Sequence, residues 1–387
     1  MKKKNKISFI NEEKNILNLK PFILTTYGHC GLDWMTSLLD SHKEVLIMPS
    51  FSFFRCLYYI KTWDKSFSLD KKNISNKKIV ESFSRLFLKD KRQLAQRRRF
   101  LFSKKHHRLF EKYLYSWLNQ TKINDNHKKV FYGIHYAFSK IYKIDLKKKN
   151  ILVCQEHVSF YCNEHIKMHD PNFIFMVRDP RAAIAGSILR MEKHNSDKIY
   201  ANQFDQVILI WKWAEKFVIK NNYNNRIFVS RNESMHKNLK KEMVKLSKWL
   251  NIKFEKTLLK QTVLGETWFG ESAYLQGKDQ EDDLKKYPPK SYYYQNEIQK
   301  RWKTVISINE IKMIEIILKK VFQKYNYQKL YKQSLISKLK ILIFMLCNYH
   351  FQTKYFVSKY FVIPRNIIRR ILILIEPYFG RIISRFH

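Results

Sequence analysis

Two stretches of the chain share one pattern: a short apolar run, a tight turn, and then apolar residues at helical spacing. The first run, 22–26, reads Phe-Ile-Leu-Thr-Thr, and the chain breaks after it at Gly28 and Gly31. Apolar side chains then recur at 34, 35, 38 and 39, which places them on one face of a helix. This pattern predicts a strand, a loop and a helix.

The second copy of the pattern begins with the apolar run 173–177, Phe-Ile-Phe-Met-Val. Arg178, Asp179 and Pro180 follow, and an alanine-rich run extends from 181 to 191. Because Asp is a common N-cap and Pro is favoured at the first helical position, a helix is predicted to begin at this point.

Two more β-prone segments, 151–153 and 226–229, and a helical stretch around 203–220 extend the alternation. Strands alternating with helices predict an α/β fold with a largely parallel central sheet flanked by helices. Ligands of such sheets bind at the carboxyl ends of the strands, where the loop 28–31 and Arg178 both fall.

The remaining segments are predicted to be additions to one α/β domain over 21–330. Residues 1–20 form a basic N-terminal extension, and about 55–130 lack a strand pattern and are interpreted as a helical insertion. The insertion carries basic clusters at 97–99 and 104–108, which are either a solvated helix face or a wall that binds an acidic acceptor.

The tail 331–387 carries ten Lys and Arg residues against one Glu, between short apolar runs. A basic amphipathic helix lying on an anionic membrane surface is one interpretation of it. Packing against the main domain or a partner is the other. No signal-peptide pattern and no apolar run long enough to span a bilayer is seen, so the expected location is cytoplasmic, with the tail on the inner face of the membrane.

The net charge of +41 favours anionic partners, although the abundance of Lys, Asn, Ile, Tyr and Phe with only 8 Gly and 8 Pro is also the composition of an AT-rich genome. Local clusters therefore carry more weight than the total. The five cysteines have no disulfide-framework spacing, which favours a reducing compartment.

The loop 26–34, Thr-Tyr-Gly-His-Cys-Gly-Leu-Asp-Trp, lies where backbone N–H groups and a helix dipole favour an anion, but it is not a Walker A loop. It resembles the 5′-phosphosulfate loop of the sulfotransferase family, Thr-Tyr-Pro-Lys-Ser-Gly-Thr-Thr-Trp in cytosolic members. The string 38–45, Leu-Leu-Asp-Ser-His-Lys-Glu-Val, resembles the end of that family's first helix. The resemblance implies a donor loop made of Gly28, His29, Cys30, Gly31, Leu32, Asp33 and Trp34, with Trp34 against adenine.

The run 173–187 resembles the same family's 3′-phosphate motif: an apolar strand, Arg-Asp-Pro-Arg and a helix of small residues. Arg178 would bind the 3′-phosphate, since a guanidinium offers paired hydrogen bonds to phosphate oxygens. Gly186 occupies the usual place of the family's serine, and Ser187 follows it. Weaker matches at 229–234, 249–252, 265–272 and 301–302 extend the resemblance over about 21–328.

The resemblance implies transfer of a sulfuryl group from 3′-phosphoadenosine 5′-phosphosulfate, without a metal, to a hydroxyl or amine of an acceptor, here interpreted as a glycan or another acidic molecule. The loop departs from the family: His29 stands where Lys or Arg is usual, with Leu32 and Asp33 in place of hydroxyl residues. His29 can carry a proton and is the predicted catalytic cation. Glu156 and His157, after the strand 151–153, are the predicted bases, and His42 and His135 come after them.

Three alternatives remain open. A non-catalytic protein of the same fold would keep Arg178 but not turn over. A nucleic-acid-binding protein would use the +41 charge, but no recognition motif for a specific nucleic acid is present. Cys154, His157, Cys162 and His165 could form a small zinc site, although their spacer is shorter than that of zinc fingers.

Overall fold

The computed structural model describes residues 2–71, 73–87, 103–192, 200–221, 225–268, 301–332, 334–336, 339, 349–353 and 356–360. Its centre is a five-stranded, wholly parallel sheet in the order β2-β3-β1-β4-β5. The strands are β1 (Lys20–Thr26), β2 (Val45–Ile47), β3 (Ile151–Glu156), β4 (Asn172–Val177) and β5 (Ile227–Arg231). The predicted α/β fold with a parallel central sheet is confirmed.

The three inner strands are buried almost along their whole length, as expected of a parallel sheet covered by helices on both faces. Their apolar runs are those that predicted them. The edge strand β2 was missed, because Val45–Ile47 is only three residues long and begins on the last residue of the string 38–45.

The helices joined to the sheet are α2 (Leu32–Leu39), α7 (Cys162–His169), α8 (Pro180–Glu192), α9 (Tyr200–Asn221), α10 (Asn232–Lys237), α11 (Leu239–Leu250), α12 (Ile308–Ile317) and α13 (Lys319–Lys324). The helix predicted around 203–220 and the one predicted after Arg178 are both present.

The segment predicted as a helical insertion contains α3 (Phe53–Trp63), α4 (Asn76–Phe87), α5 (Lys104–Gln120) and α6 (Asn126–Ile141). The basic cluster 97–99 lies outside the described residues, whereas 104–108 form the first turns of α5. The N-terminal extension is the helix α1 (Lys2–Leu17), whose Phe9 lies 5.7 Å from the ring of Trp117 on α5.

The polar residues of the string 38–45 hold a neighbouring segment. The Asp40 carboxylate accepts hydrogen bonds from Thr262 (3.0 Å) and from the backbone N–H of Gly265 (2.9 Å), on the hairpin β6 (Thr262–Val263) and β7 (Glu266–Thr267). His42 is buried, with Nε2 2.8 Å from the carbonyl oxygen of Lys253. His42 thus has a structural role in the fold.

The tail differs from the helix predicted for it where it is described. Tyr349–Thr353 and Phe356–Tyr360 pair as an antiparallel hairpin, β8 and β9, because aromatic and β-branched residues are dense in these segments. Most of 331–387 lies outside the described residues. Over the described part of the chain, the structure contains no helix that is long and apolar enough to cross a membrane.

Candidate donor site

The loop after β1 has the backbone geometry of an anion-binding turn. Gly28, His29 and Gly31 all have positive φ, at 107°, 49° and 90°. A side chain at Gly31 would also collide with Asn232, whose Nδ2 lies 2.5 Å from the position of a Cβ atom. The chain must therefore keep glycine at Gly31 to turn directly into α2, whose N-terminal N–H groups and dipole favour negative charge.

The side chains of this loop divide into buried anchors and an exposed imidazole. Tyr27 is buried, with its hydroxyl 2.9 Å from that of Tyr325. Cys30 is buried too, and burial raises the pKa of its thiol to about 12, so it is neutral and donates to the carbonyl oxygen of Gly28 at 3.0 Å. His29, between them, is exposed.

The predicted loop residues on α2 have separate environments. Leu32 is buried in the core, whereas Asp33 is half-buried in the first turn. The half-buried Trp34 stacks on His236 of α10, with ring centroids 4.2 Å apart and planes 11° apart. Burial, and secondarily the charge of Arg178, lowers the pKa of His236 to about 3, so this imidazole is neutral.

Arg178 lies at the carboxyl end of β4, beside the loop. β1 and β4 pair with Thr26 opposite Met176, and the N–H of Tyr27 donates to the carbonyl oxygen of Met176 at 3.2 Å. Arg178 is half-buried and forms no ion pair with any carboxylate among the described residues. The structure thus brings together the predicted loop and the predicted phosphate-binding guanidinium.

The second arginine of the motif has a different environment. Arg181 is 4% exposed, and its guanidinium bonds to Asp179 (2.6 Å) and to Glu315 of α12 (2.8 Å). It also lies over the rings of Trp302 and Phe322, at 4.7 and 5.0 Å. Arg181 therefore joins α8 to the helices after Thr304, whereas Arg178 has no carboxylate partner among the described residues.

Gly186, at the position of the family's serine, is buried in α8. Outside the local helix, no atom of the described residues lies within 4 Å of the position where Gly186 would carry a Cβ atom. Ser187 is fully buried and donates to the carbonyl oxygen of Ala183 at 3.0 Å. Its hydroxyl is thus engaged within α8.

Glu156 lies at the end of β3, with Thr25 of β1 opposite it. It is fully buried, accepts a hydrogen bond from Ser52, and its Oε2 lies 3.4 Å from Nε2 of His165. Burial raises the pKa of Glu156 to about 8, against the hydrogen bond from Ser52 and the charge of Arg55, which both lower it. His157 follows and is half-buried. The base role of both residues stays a prediction.

The other candidates are structural where the structure describes them. His135 is buried, with Nδ1 2.8 Å from the carbonyl oxygen of Phe131, and burial lowers its pKa to about 4. For the zinc alternative, no group of three or more His, Cys, Asp or Glu side chains suited to a metal occurs within the described ranges.

Sequence reasoning missed the contribution of β5. Glu233, directly after that strand, accepts hydrogen bonds from the N–H of Asp179 (2.7 Å) and the hydroxyl of Tyr327 (3.2 Å). His236, one turn later, packs on Trp34. The rule that ligands bind at strand ends, applied to the predicted strand 226–229, would have pointed to both residues.

Solved structures similar to this chain come from the family that the motifs resemble. The sulfotransferase domain from the Synechococcus PCC 7002 olefin synthase matches with 12% identity over 82% of this chain and 97% of its own, at a TM-score of 0.45. A sulfotransferase domain from the curacin biosynthetic pathway is 13% identical over 78% of this chain and 98% of its own, at a TM-score of 0.44. Sulfotransferase STF9 from Mycobacterium avium is 11% identical over 84% of this chain and 82% of its own, at a TM-score of 0.41. No protein-family model and no curated protein sequence matches.

Proposed function

We propose that this chain is a sulfotransferase that binds 3′-phosphoadenosine 5′-phosphosulfate at the carboxyl ends of β1 and β4. The proposal rests mainly on one observation: a half-buried Arg178, with no described carboxylate partner, lies beside a loop with three positive-φ residues. Because a guanidinium taken partly out of water binds an anion strongly, this corner of the sheet suits a phosphorylated ligand.

The residues fit the two ends of such a donor. Arg178 would hold the 3′-phosphate, and the N–H groups of the loop would hold the 5′-phosphosulfate. In the transfer, the acceptor oxygen or nitrogen bonds to sulfur, the bond from sulfur to the bridging oxygen breaks, and adenosine 3′,5′-bisphosphate leaves. His29 would donate to the bridging oxygen as its negative charge grows.

The acceptor must lose a proton in the same step, and Glu156 is the proposed base. Burial raises the pKa of Glu156 to about 8, so a fraction of this carboxyl is ionised near neutral pH, and that carboxylate binds a proton more strongly than an ordinary one does, which suits general-base catalysis. Ser52 and His165 hold its two oxygens in place.

Calorimetric titration with adenosine 3′,5′-bisphosphate tests the donor site. Arg178→Ala should weaken binding by roughly 1.5–3 kcal/mol, because a charge-assisted contact is lost. Arg226→Ala is the matched control: Arg226 pairs with Asp170 at the opposite end of the sheet, on the surface, and should not alter affinity. No binding by wild type, or equal binding by Arg178→Ala, would contradict the proposal.

A non-catalytic nucleotide-binding protein is the second candidate, favoured by the complete burial of Glu156 and by the His29 substitution in the loop. A screen with radiolabelled donor over glycans, lipids and peptides separates the two. Bisphosphate binding without transfer to any acceptor would favour the second candidate.

A peripheral position on anionic membranes belongs to the same proposal and is supported by the charge of the tail, ten Lys and Arg against one Glu over 331–387. Cosedimentation with anionic vesicles should fall when residues after 329 are deleted, while bisphosphate binding is retained. Equal cosedimentation of the two proteins would remove the membrane role.

A further inference from the structure

One face of α3 carries a stripe of aromatic and basic side chains that begins beside Glu156. Arg55, Tyr59 and Trp63 follow one another at intervals of four residues, so they lie above one another on the helix. With a rise of 1.5 Å per residue, they extend over about 12 Å. Tyr58 lies next to Tyr59, with ring centroids 5.9 Å apart.

Contacts within the stripe order these side chains. Nε of Arg55 donates to the hydroxyl of Tyr59 at 3.0 Å, and its guanidinium lies 5.4 Å from that ring. Arg85 of α4 lies over Trp63, 5.2 Å from the ring centroid. A guanidinium stacked on a ring keeps its in-plane N–H groups directed outward, where they can pair with a carboxylate or sulfate.

The stripe is exposed and lacks negative charge of its own. Tyr58 is 57% and Trp63 39% exposed, so α3 presents two large rings to solvent. α3 contains no acidic residue, and Asp64 at its end pairs with Lys78 at 3.0 Å. On α4, Glu81 lies one turn before Arg85 and within 3.9 Å of Lys77.

This combination selects one class of ligand. Exposed Tyr and Trp present flat apolar faces that suit the C–H faces of sugar rings, and Arg supplies paired donors for regularly spaced carboxylates. A neutral glycan would leave the arginines unused, and a helix face without a groove offers little to a small phenol. A linear acidic polysaccharide uses both features along the whole length of the stripe.

The stripe also lies in the right place for an acceptor. Ser52, the residue before α3, donates to Glu156 at the end of β3, and the charge of Arg55 lowers the pKa of that carboxyl. We propose that Arg55, Tyr58, Tyr59, Trp63 and Arg85 bind an acidic polysaccharide along α3, with its end at Arg55 directed to the carboxyl end of β3. As an acceptor site, this rests on the proposed sulfotransferase function.

Binding of a hexasaccharide of alternating glucuronate and N-acetylglucosamine, measured by calorimetry in 0.1 M salt, tests the stripe. Trp63→Ala should weaken affinity about tenfold, and Tyr58→Ala, which removes a ring too exposed to support the fold, should also weaken it several-fold. Arg85→Lys keeps the charge but loses the fork and should give an intermediate loss. Maltohexaose, which is neutral, should not bind measurably.

Tyr115→Ala is the control, since this ring is 49% exposed on α5, outside the stripe. Equal losses from Tyr115→Ala and Trp63→Ala, or undiminished binding by Trp63→Ala and Tyr58→Ala, would overturn the inference. Equally tight, stripe-dependent binding of a single-stranded oligonucleotide would also overturn it, in favour of a nucleic-acid surface. Bisphosphate binding without any hexasaccharide binding would contradict the polysaccharide site and leave the donor site intact. Hexasaccharide binding without bisphosphate binding would support the polysaccharide site and contradict the proposed sulfotransferase function.

Discussion

The carboxyl ends of β3 and β4 lie on either side of β1. Glu156 is the last residue of β3 and Arg178 directly follows β4, and these two charged residues have different surroundings. At β4, Arg178 is half-buried and has no described carboxylate partner. At β3, Glu156 is fully buried and has Ser52 and His165 as neighbours. The same place in the fold thus gives one end with a guanidinium that lacks a described carboxylate partner and one end where burial favours the neutral carboxyl.

The difference follows from what surrounds each side chain. Arg181, rather than Arg178, takes up the carboxylates near β4, Asp179 and Glu315. Near β3, the neighbouring imidazoles of His165 and His169 are kept neutral, since burial lowers the pKa of each to about 3. No described positive charge is close enough to hold Glu156 ionised, apart from the partial effect of Arg55.

The largest expected effect is on stability and comes from Arg181→Ala. The variant leaves the fully buried Glu315 carboxylate without its guanidinium, which should cost about 3–5 kcal/mol in the free energy of unfolding. Arg226→Ala, which breaks a surface pair, should cost less than about 1 kcal/mol. Urea denaturation measures both. Similar losses from the two variants would contradict this structural role of Arg181.

His29→Ala tests the loop between the two strand ends. If His29 donates to the bridging oxygen in the transition state, kcat should fall by roughly 10²–10³ while bisphosphate affinity hardly changes. His29→Asn is the backbone control, because Asn tolerates the φ of 49° and lacks the imidazole. His29→Lys should keep activity and flatten any loss of rate between about pH 6 and 8. Normal turnover by His29→Ala would place the catalytic cation elsewhere.

Glu156→Gln tests whether burial at the end of β3 keeps the Glu156 carboxyl protonated. The folded-state pKa of about 8 is above the ordinary value of 4.5, so the protonated carboxyl stabilises the fold below pH 4.5, and this contribution is lost as pH rises through 8. The amide does not titrate. The stability of the variant relative to wild type should therefore rise with pH over this window.

The buried histidines destabilise the fold in acid, because burial lowers their pKa values. Their contribution to the pH dependence of stability is the same in the variant and in wild type, so it cancels in the comparison. The same protein also tests the chemistry. A loss of kcat with bisphosphate affinity retained would support the base role of Glu156. Unchanged turnover together with the expected stability profile would make it a purely structural carboxyl.

The inner strands could be predicted from the sequence, because buried parallel strands are continuous apolar runs. That Arg178 lies near the loop 28–31 could also be predicted, because the carboxyl ends of parallel strands share one edge of the sheet. The resemblance singled out Arg178, but no pattern predicted the structural role of Arg181, since one of the two carboxylates that bind it belongs to Glu315, 134 positions away. Burial of Glu156 and the stack of Trp34 on His236 are likewise long-range contacts without a local pattern.

The smallest expected effect comes from substitutions of Gly186, which test whether the ligand bound at the carboxyl end of β4 also contacts α8. Outside the local helix, a Cβ atom at this position meets no atom of the described residues within 4 Å. Gly186→Ala should stabilise the fold by up to about 1 kcal/mol through helix propensity alone, with bisphosphate affinity unchanged. Gly186→Ser should gain part of that stability and also tighten bisphosphate binding several-fold, because it supplies a hydroxyl that Ser187, bonded to Ala183, does not offer. Calorimetric titration of the Ser and Ala variants separates the effect of the hydroxyl on bisphosphate affinity from the effect of helix propensity. Equal affinity of the Ser and Ala variants would show that the 3′-phosphate does not lie over this turn of α8, and would restrict the phosphate contact to Arg178.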